Sequence, residues 1–162
     1  MGTRCGSLDP GVMLYLQQHL RMGVEELGDM LYRRSGLLGV SAISGDMHVL
    51  LDSANPHAAE AVELFVYRAV LEIGAMTAAL GGIDALVFTG GIGEHAAAVR
   101  TRICEGCKWL GAEVDEIANV AHAELIHATT SKLKIVVVAT DEERMIAIHT
   151  QALLRRRQEL PR

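Results

Sequence analysis

Two short apolar runs limit what this chain can fold into. "DALVF" at residues 84–88 and "KIVVVAT" at 134–140 show no polar alternation, and each leads into a stretch with helical character. A strand that is apolar on both faces is the kind buried within a parallel sheet, whose neighbours are joined through helices. The chain therefore reads as an α/β layered fold with a small, mostly parallel sheet and flanking helices. "ELIHA", residues 124–128, reads as a third and weaker strand between the two. Sheets usually carry about four to six strands. An incomplete sheet is expected, with its remaining strands supplied by another chain or by a longer version of this one.

The helices are easier to place. Asp9 caps a helix opened by Pro10, where a missing N–H is harmless, and that helix is expected to run to about Gly23. A second is expected over Val24 to Arg34. "SGLLGVSAISGDMH", residues 35–48, mixes glycine and serine with apolar pairs and reads as an ordered loop. Asn55 and Pro56 then open a long helix closed by Gly81 and Gly82. Its stripe of Val62, Phe65, Val66, Ala69, Val70, Ile73, Met76 and Leu80 recurs at steps of three and four and should face a core. Further helices are expected from about Glu94 to Leu110 and from about Asp141 to Arg157. No repeat, low-complexity tract or linker divides the chain, so residues 1–162 read as one domain.

Composition removes several function classes. Lys and Arg number 15 against 20 Asp and Glu, a formal charge of -5, which opposes general attraction to nucleic acid or an anionic membrane. No apolar stretch has the length of a membrane span, and residues 1–20 lack the basic start and unbroken apolar core of a signal peptide. Three cysteines, an odd count, suit a reducing compartment. A cytoplasmic location is the expectation. Cys104 and Cys107 form a C-x₂-C pair within a helical stretch and without a second pair, poor grounds for zinc. His122 and His127, five apart, do not share a helical face and read as surface or strand-edge residues.

The chemistry is concentrated in "FTGGIGEH", residues 88–95. A strand, a glycine turn and a helix N-terminus present backbone N–H groups and the positive end of a helix dipole, which suits a phosphate or nucleotide; a plain tight turn explains the glycines equally well. Residues 91–96 also match the G-x-G-x-x-G/A dinucleotide pattern. That pattern requires an acidic residue about twenty positions on, at the end of a second strand. Glu113 has the spacing, but "CKWLGAE" before it is no strand. A Walker A loop is excluded, because no Lys-Ser or Lys-Thr follows the glycines.

Four stretches in order, "MGTRCGSLDPG", "SGLLGVSAISGDM", "FTGGIGEH" and "TDEE", resemble the acetate kinase family over residues 1 to about 150 and match its C-terminal portion. The resemblance implies a ribonuclease-H-like domain of the actin, sugar kinase and heat-shock ATPase type, here incomplete. It implies reversible transfer of the γ-phosphoryl group of ATP to acetate, giving ADP and acetyl phosphate with Mg²⁺, in a homodimer. Carried over, Arg4 resembles the arginine that clamps the phosphoryl group in flight. Asp46 and Met47 resemble adenosine-side residues, with His48 where the family usually has arginine. Gly91, Ile92 and Gly93 match the turn against adenine and ribose, with His95 where asparagine is usual. Glu142 resembles the acidic residue serving magnesium, and Asp141 replaces an asparagine.

Each residue has a plainer reading beside this one. Arg4 without its motif is an exposed arginine. Thr140 to Glu143 reads as a capping box, with Thr140 capping and Glu143 reaching back, and Glu142 as a favourable charge in a first helical turn. The resemblance also implies that Met1 aligns with an interior residue and that the half carrying the acetate pocket lies outside this chain. The chain alone is therefore expected not to turn over; a non-catalytic nucleotide-binding or dimerisation module and a propionate kinase are the alternatives within the family. A dinucleotide-binding oxidoreductase is the alternative outside it.

Overall fold

A computed structural model of the protein describes residues 2–158. The elements follow in the order α1 (Pro10–Gln18), α2 (Val24–Arg33), α3 (Gly36–Ser41), α4 (Met47–Leu51), α5 (Pro56–Leu80), β1 (Ala85–Thr89), α6 (Gly90–His95), α7 (Ala97–Gly106), α8 (Glu116–Val120), β2 (Lys134–Val138) and α9 (Glu142–Gln158), with a 3₁₀ turn at Lys108–Leu110. β1 and β2 pair in parallel, Leu86 opposite Ile135 and Phe88 opposite Val137. "ELIHA" does not form a strand. It makes isolated antiparallel bridges, Leu125 to Val136 and His127 to Val114, along the far side of β2.

The capping chemistry places the helix starts. Asp9 accepts from the Gly11 N–H at 2.6 Å, and Asn55 accepts from the His57 N–H at 2.9 Å with Pro56 behind it. α1 is shorter than expected and ends at Gln18. α5 supports the core with Ala58, Ala61, Val62 and Val66 buried. Its stripe is covered only in part: Phe65, Ala69, Val70 and Ile73 pack against the core, while Leu80 is 73 % exposed and Met76 is exposed as well.

Three local expectations are corrected. Residues 35–48, read as loop, contain the short helix α3 and the first residues of α4. Segments this short carry too little periodicity to read and are marginal alone, so they depend on packing against α5. Between them Ser41 folds a turn, its Oγ accepting from the Ile43 N–H at 3.1 Å and the Ser44 N–H at 3.3 Å. The helix expected from Glu94 starts earlier, at Gly90, and is broken at Ala96, whose φ of -102° and ψ of 78° are not helical. β1 is not buried on both faces: Phe88 is buried, but Val87 is 53 % exposed. Among the described residues β1 pairs only with β2, so one edge and much of one face of the sheet have no neighbour. None of the described helices is long and apolar enough to cross a membrane.

Candidate functional site

The turn from β1 into α6 is built by two glycines. Gly90 takes φ 71°, a left-handed conformation that turns the chain sharply out of the strand and that side chains disfavour. Gly93 lies against β1, where a Cβ would sit 3.2 Å from the carbonyl carbon of Phe88. Only a residue without a side chain lets α6 rest that close to the strand.

On the open side of this turn lies a cleft of about 460 Å³ lined by Thr3, Gly45, Asp46, Met47, His48, Gly91, Ile92 and His95. Two segments far apart in sequence meet here, α4 with its lead-in and α6. Asp46 holds the first of them. Its carboxylate oxygen Oδ1 accepts from the His48 N–H at 2.9 Å, making it the N-cap of α4, and its own N–H donates to Ser44 Oγ at 3.0 Å. Met47 is buried beneath, whereas Asp46, His48 and His95 are exposed at the rim. Six of the seven nucleotide-side residues expected from sequence therefore share one wall-to-wall opening. Gly93, the seventh, stands behind it as packing.

Arg4 is placed elsewhere. The segment 2–5 is strapped down through Gly2 O, which accepts from the Leu38 N–H at 3.0 Å, and Thr3 O, which accepts from the Ser35 N–H at 2.9 Å. Thr3 faces the cleft. Arg4, its neighbour, is exposed with its guanidinium carbon 5.9 Å from the Tyr32 ring centroid, and it lines a separate cavity of about 500 Å³ whose walls include Leu37, Phe65 and Arg68. Glu142 begins α9, but its side chain lies outside the described residues.

The sequence reading passed over the residues that hold the turn in place. Arg100 on α7 is 0 % exposed and faces no carboxylate. A buried guanidinium needs partners for all its donors. Nη1 donates to the carbonyls of Gly93 at 2.8 Å and Glu94 at 2.9 Å, the end of α6. Nε donates to Asn119 Oδ1 and Nη2 to Asn119 O, both at 2.7 Å. Asn119 is itself buried and donates to Ala97 O and Thr101 Oγ1. Burial pulls the Arg100 pKa below its ordinary value. His122, read as a surface residue, joins this network: its Nδ1 lies 2.9 Å from Glu94 O and 3.2 Å from Arg100 Nη2. Carrying a proton, that nitrogen donates to the carbonyl; without one, it accepts from the guanidinium.

Glu94 is the second omission. Its Oε1 accepts from both the N–H and the hydroxyl of Thr140, each at 3.0 Å. The Thr140 N–H first, opposed by desolvation and helped by the hydroxyl, holds the Glu94 carboxyl below its ordinary value. Thr140 is consequently not the cap of α9. Asp141 caps it, accepting from the Arg144 N–H at 2.9 Å, and the expected capping box does not form, since Arg144 at the third helical position has no acceptor to reach back. Cys104 and Cys107 are buried free thiols, Cys104 pushed up to about 12 by burial and Cys107 raised for the same reason, so both stay protonated core residues. The segment before Glu113 is a 3₁₀ turn, not the second strand a dinucleotide fold requires.

The chain is similar in sequence and in fold to known proteins. The chain is 56 % identical over 155 residues to an acetate kinase of Rhodopseudomonas palustris (strain TIE-1), covering 94 % of this chain and 39 % of that protein. It is 54 % identical over 149 residues to an acetate kinase of Rhizobium meliloti, covering 92 % and 38 %. Among solved structures, Porphyromonas gingivalis acetate kinase superposes with a TM-score of 0.85 at 36 % identity, over 95 % of this chain and 40 % of that one. A propionate kinase from Francisella tularensis gives 0.83 at 37 % identity, over 91 % and 38 %. The chain thus spans about two-fifths of the length of these relatives. A family model described as the acetokinase family matches residues 1–148, and the chain belongs to that family.

Proposed function

We infer that this chain is the C-terminal, nucleotide-binding part of a carboxylate kinase that transfers the γ-phosphoryl group of ATP to acetate or a closely similar short-chain carboxylate. One observation carries the reading: Asp46, Met47 and His48 from one segment and Gly91, Ile92 and His95 from another line a single cleft. The cleft suits an adenosine moiety. Met47 and Ile92 offer apolar contact to a base, and a rim carboxylate such as Asp46 can accept from a ribose hydroxyl. His48 and His95 each supply one donor or acceptor and cannot fork a phosphate as arginine does. Gly93 contributes by letting α6 lie close to β1.

Arg4 is assigned the transferring phosphoryl group. Charge spreads over the equatorial oxygens during transfer, and a positioned guanidinium is worth about 10³–10⁵ in rate in related nucleotide enzymes. It stands one residue beyond Thr3, which lines the cleft, with its side chain free of any ion pair among the described residues. The start of α9 carries Asp141, Glu142 and Glu143, oxygen donors of the kind a hard divalent ion takes. Glu142 would hold Mg²⁺ there, most of the other ligands coming from phosphate and water. Bound magnesium would neutralise charge on the phosphates.

The carboxylate pocket is assigned to the part of the family's length that this chain does not span, and the chain itself is assigned a place in a cytoplasmic homodimer. The chain by itself is predicted to bind Mg·ADP and to form no acetyl phosphate. Calorimetric titration with Mg·ADP, followed by an acetyl phosphate assay on the same sample, tests both statements. Absence of binding would overturn the nucleotide assignment, and turnover would overturn the assignment of the acceptor site.

A further inference from the structure

We propose that Glu94 is a positioning residue that couples the nucleotide-side turn to the start of α9, so that nucleotide and divalent cation each strengthen the other's binding through it. The proposal rests on the nucleotide reading above and names the residue that joins its two halves.

Glu94 is gripped at both ends. Its backbone carbonyl is fixed to the core by Arg100 Nη1 at 2.9 Å, and its carboxylate reaches 46 residues along the chain to Thr140. Two donors of Thr140, the N–H and the hydroxyl, converge on the one oxygen Oε1 at 3.0 Å each. Among the described residues, these are the only hydrogen bonds that join residues 140–155 to the rest of the protein; the others recorded there, Arg144 and Met145 N–H to Asp141, close the first turn of α9 on itself. α9 has no buried side chain among its described residues, so packing does not fix its start. The tie at Glu94 does.

The same residue sits within one turn of Gly91 and Ile92, which line the nucleotide cleft. A ligand that orders α6 therefore orders Glu94, and through Thr140 it orders the backbone immediately ahead of Asp141 and Glu142. Coupling of this kind is reciprocal: whatever the cation does for nucleotide affinity, nucleotide does for cation affinity. Glutamine retains the Oε1 acceptor and both bonds; alanine retains neither.

The test is titration of ADP into the chain in Mg²⁺ and, separately, in EDTA, for the wild type, Glu94→Gln, Glu94→Ala and Thr140→Val. Magnesium is expected to tighten ADP about tenfold in the wild type and in Glu94→Gln. In Glu94→Ala the enhancement should shrink to what the ion gains from the phosphates alone while affinity in EDTA changes less than about twofold, and Thr140→Val, which loses one of the two bonds, should fall between. Thr140→Val also carries the test alone if the alanine variant does not fold. Faster amide exchange at Thr140 in Glu94→Ala is expected without any ligand. Full magnesium enhancement in Glu94→Ala overturns the proposal, as does a loss equal in Mg²⁺ and EDTA, which marks a merely structural role. Failure of the wild type to bind ADP in either condition removes the nucleotide reading and the proposal together; binding without magnesium enhancement removes the proposal alone.

Discussion

α1 and α7 are helices of nearly equal length, and the more apolar of the two is the one left uncovered. α7 buries Val99, Arg100, Ile103 and Cys104 against α5, α6 and α8. α1 buries nothing and leaves Leu14 and Tyr15 more than half exposed, with Val12 and Met13 close behind. Composition alone would have ranked them the other way. Burial is decided by which neighbours the chain supplies, and this chain supplies them around the glycine turn. The same contrast runs through the sheet, where Phe88 is covered and Val87 is not, and through α9, which exposes Ile146, Leu153 and Leu154.

The sharpest way to break the comparison is at Arg100. Replacing it with methionine keeps apolar bulk but removes its hydrogen bonds to the carbonyls of Gly93, Glu94 and Asn119 and to the Asn119 amide oxygen. A loss of about 3 kcal/mol or more is expected, measured by urea unfolding. A loss under about 1 kcal/mol would show that the network is incidental to the fold.

Apolar truncation on the two helices follows in size. Ile103→Ala should cost about 2–4 kcal/mol, and Leu14→Ala less than about 0.5 kcal/mol. Comparable losses would mean that α1 is covered in solution, and a concentration-dependent loss would identify the cover as a second copy. Gly93→Ala is expected between these, at about 1–3 kcal/mol, because its Cβ meets the backbone of β1 and α6 must shift to admit it. That shift should also weaken ADP binding, whereas Leu14→Ala should leave ADP binding unchanged.

The legible parts of this molecule were those with local causes. Asn55 and Pro56 announce α5, and the apolar runs announce β1 and β2, because capping and strand chemistry act over a few residues. The residues proposed for the nucleotide side were legible through their motifs, and six of the seven line one cleft. What was not legible depends on partners distant in sequence. α3 and α4 are helical because α5 backs them, and Met76 and Leu80 are exposed because none of the described residues covers their side of the end of α5. Arg100 did leave a trace, a lone arginine on the face shared by Val99, Ile103 and Cys104, where a charge signals a buried polar network. Its partners, Asn119 and the carbonyls of α6, left none. Thr140 looked like a cap because its hydroxyl stands before an acidic turn, and only the fold shows that hydroxyl committed to Glu94.

The tie between Glu94 and Thr140 also carries a pH signature, the smallest effect and the most local. The Thr140 N–H has the largest effect and favours the carboxylate; desolvation opposes it, and the Thr140 hydroxyl, the Gly90 N–H and the nearby charge of His95 add to the first, so the folded pKa lies below the value of 4.5 of a free side chain. A carboxyl with a depressed folded pKa stabilises the fold fully above its unfolded pKa and loses that contribution as pH falls through the folded value. The tie to the start of α9 should therefore be strongest at neutral pH and weaken in acid, below about pH 4.5, where the acceptor loses its charge but not its lone pairs. Following the Thr140 amide by NMR from pH 7 down to 2 should show it shift and exchange faster in step with protonation of Glu94. In Glu94→Gln the acceptor remains but the titration is gone, so the same signal should stay flat, while the amides of α7 should be indifferent in both proteins. A Thr140 signal that ignores the Glu94 titration would mean that the carboxylate is not what holds this helix to the turn.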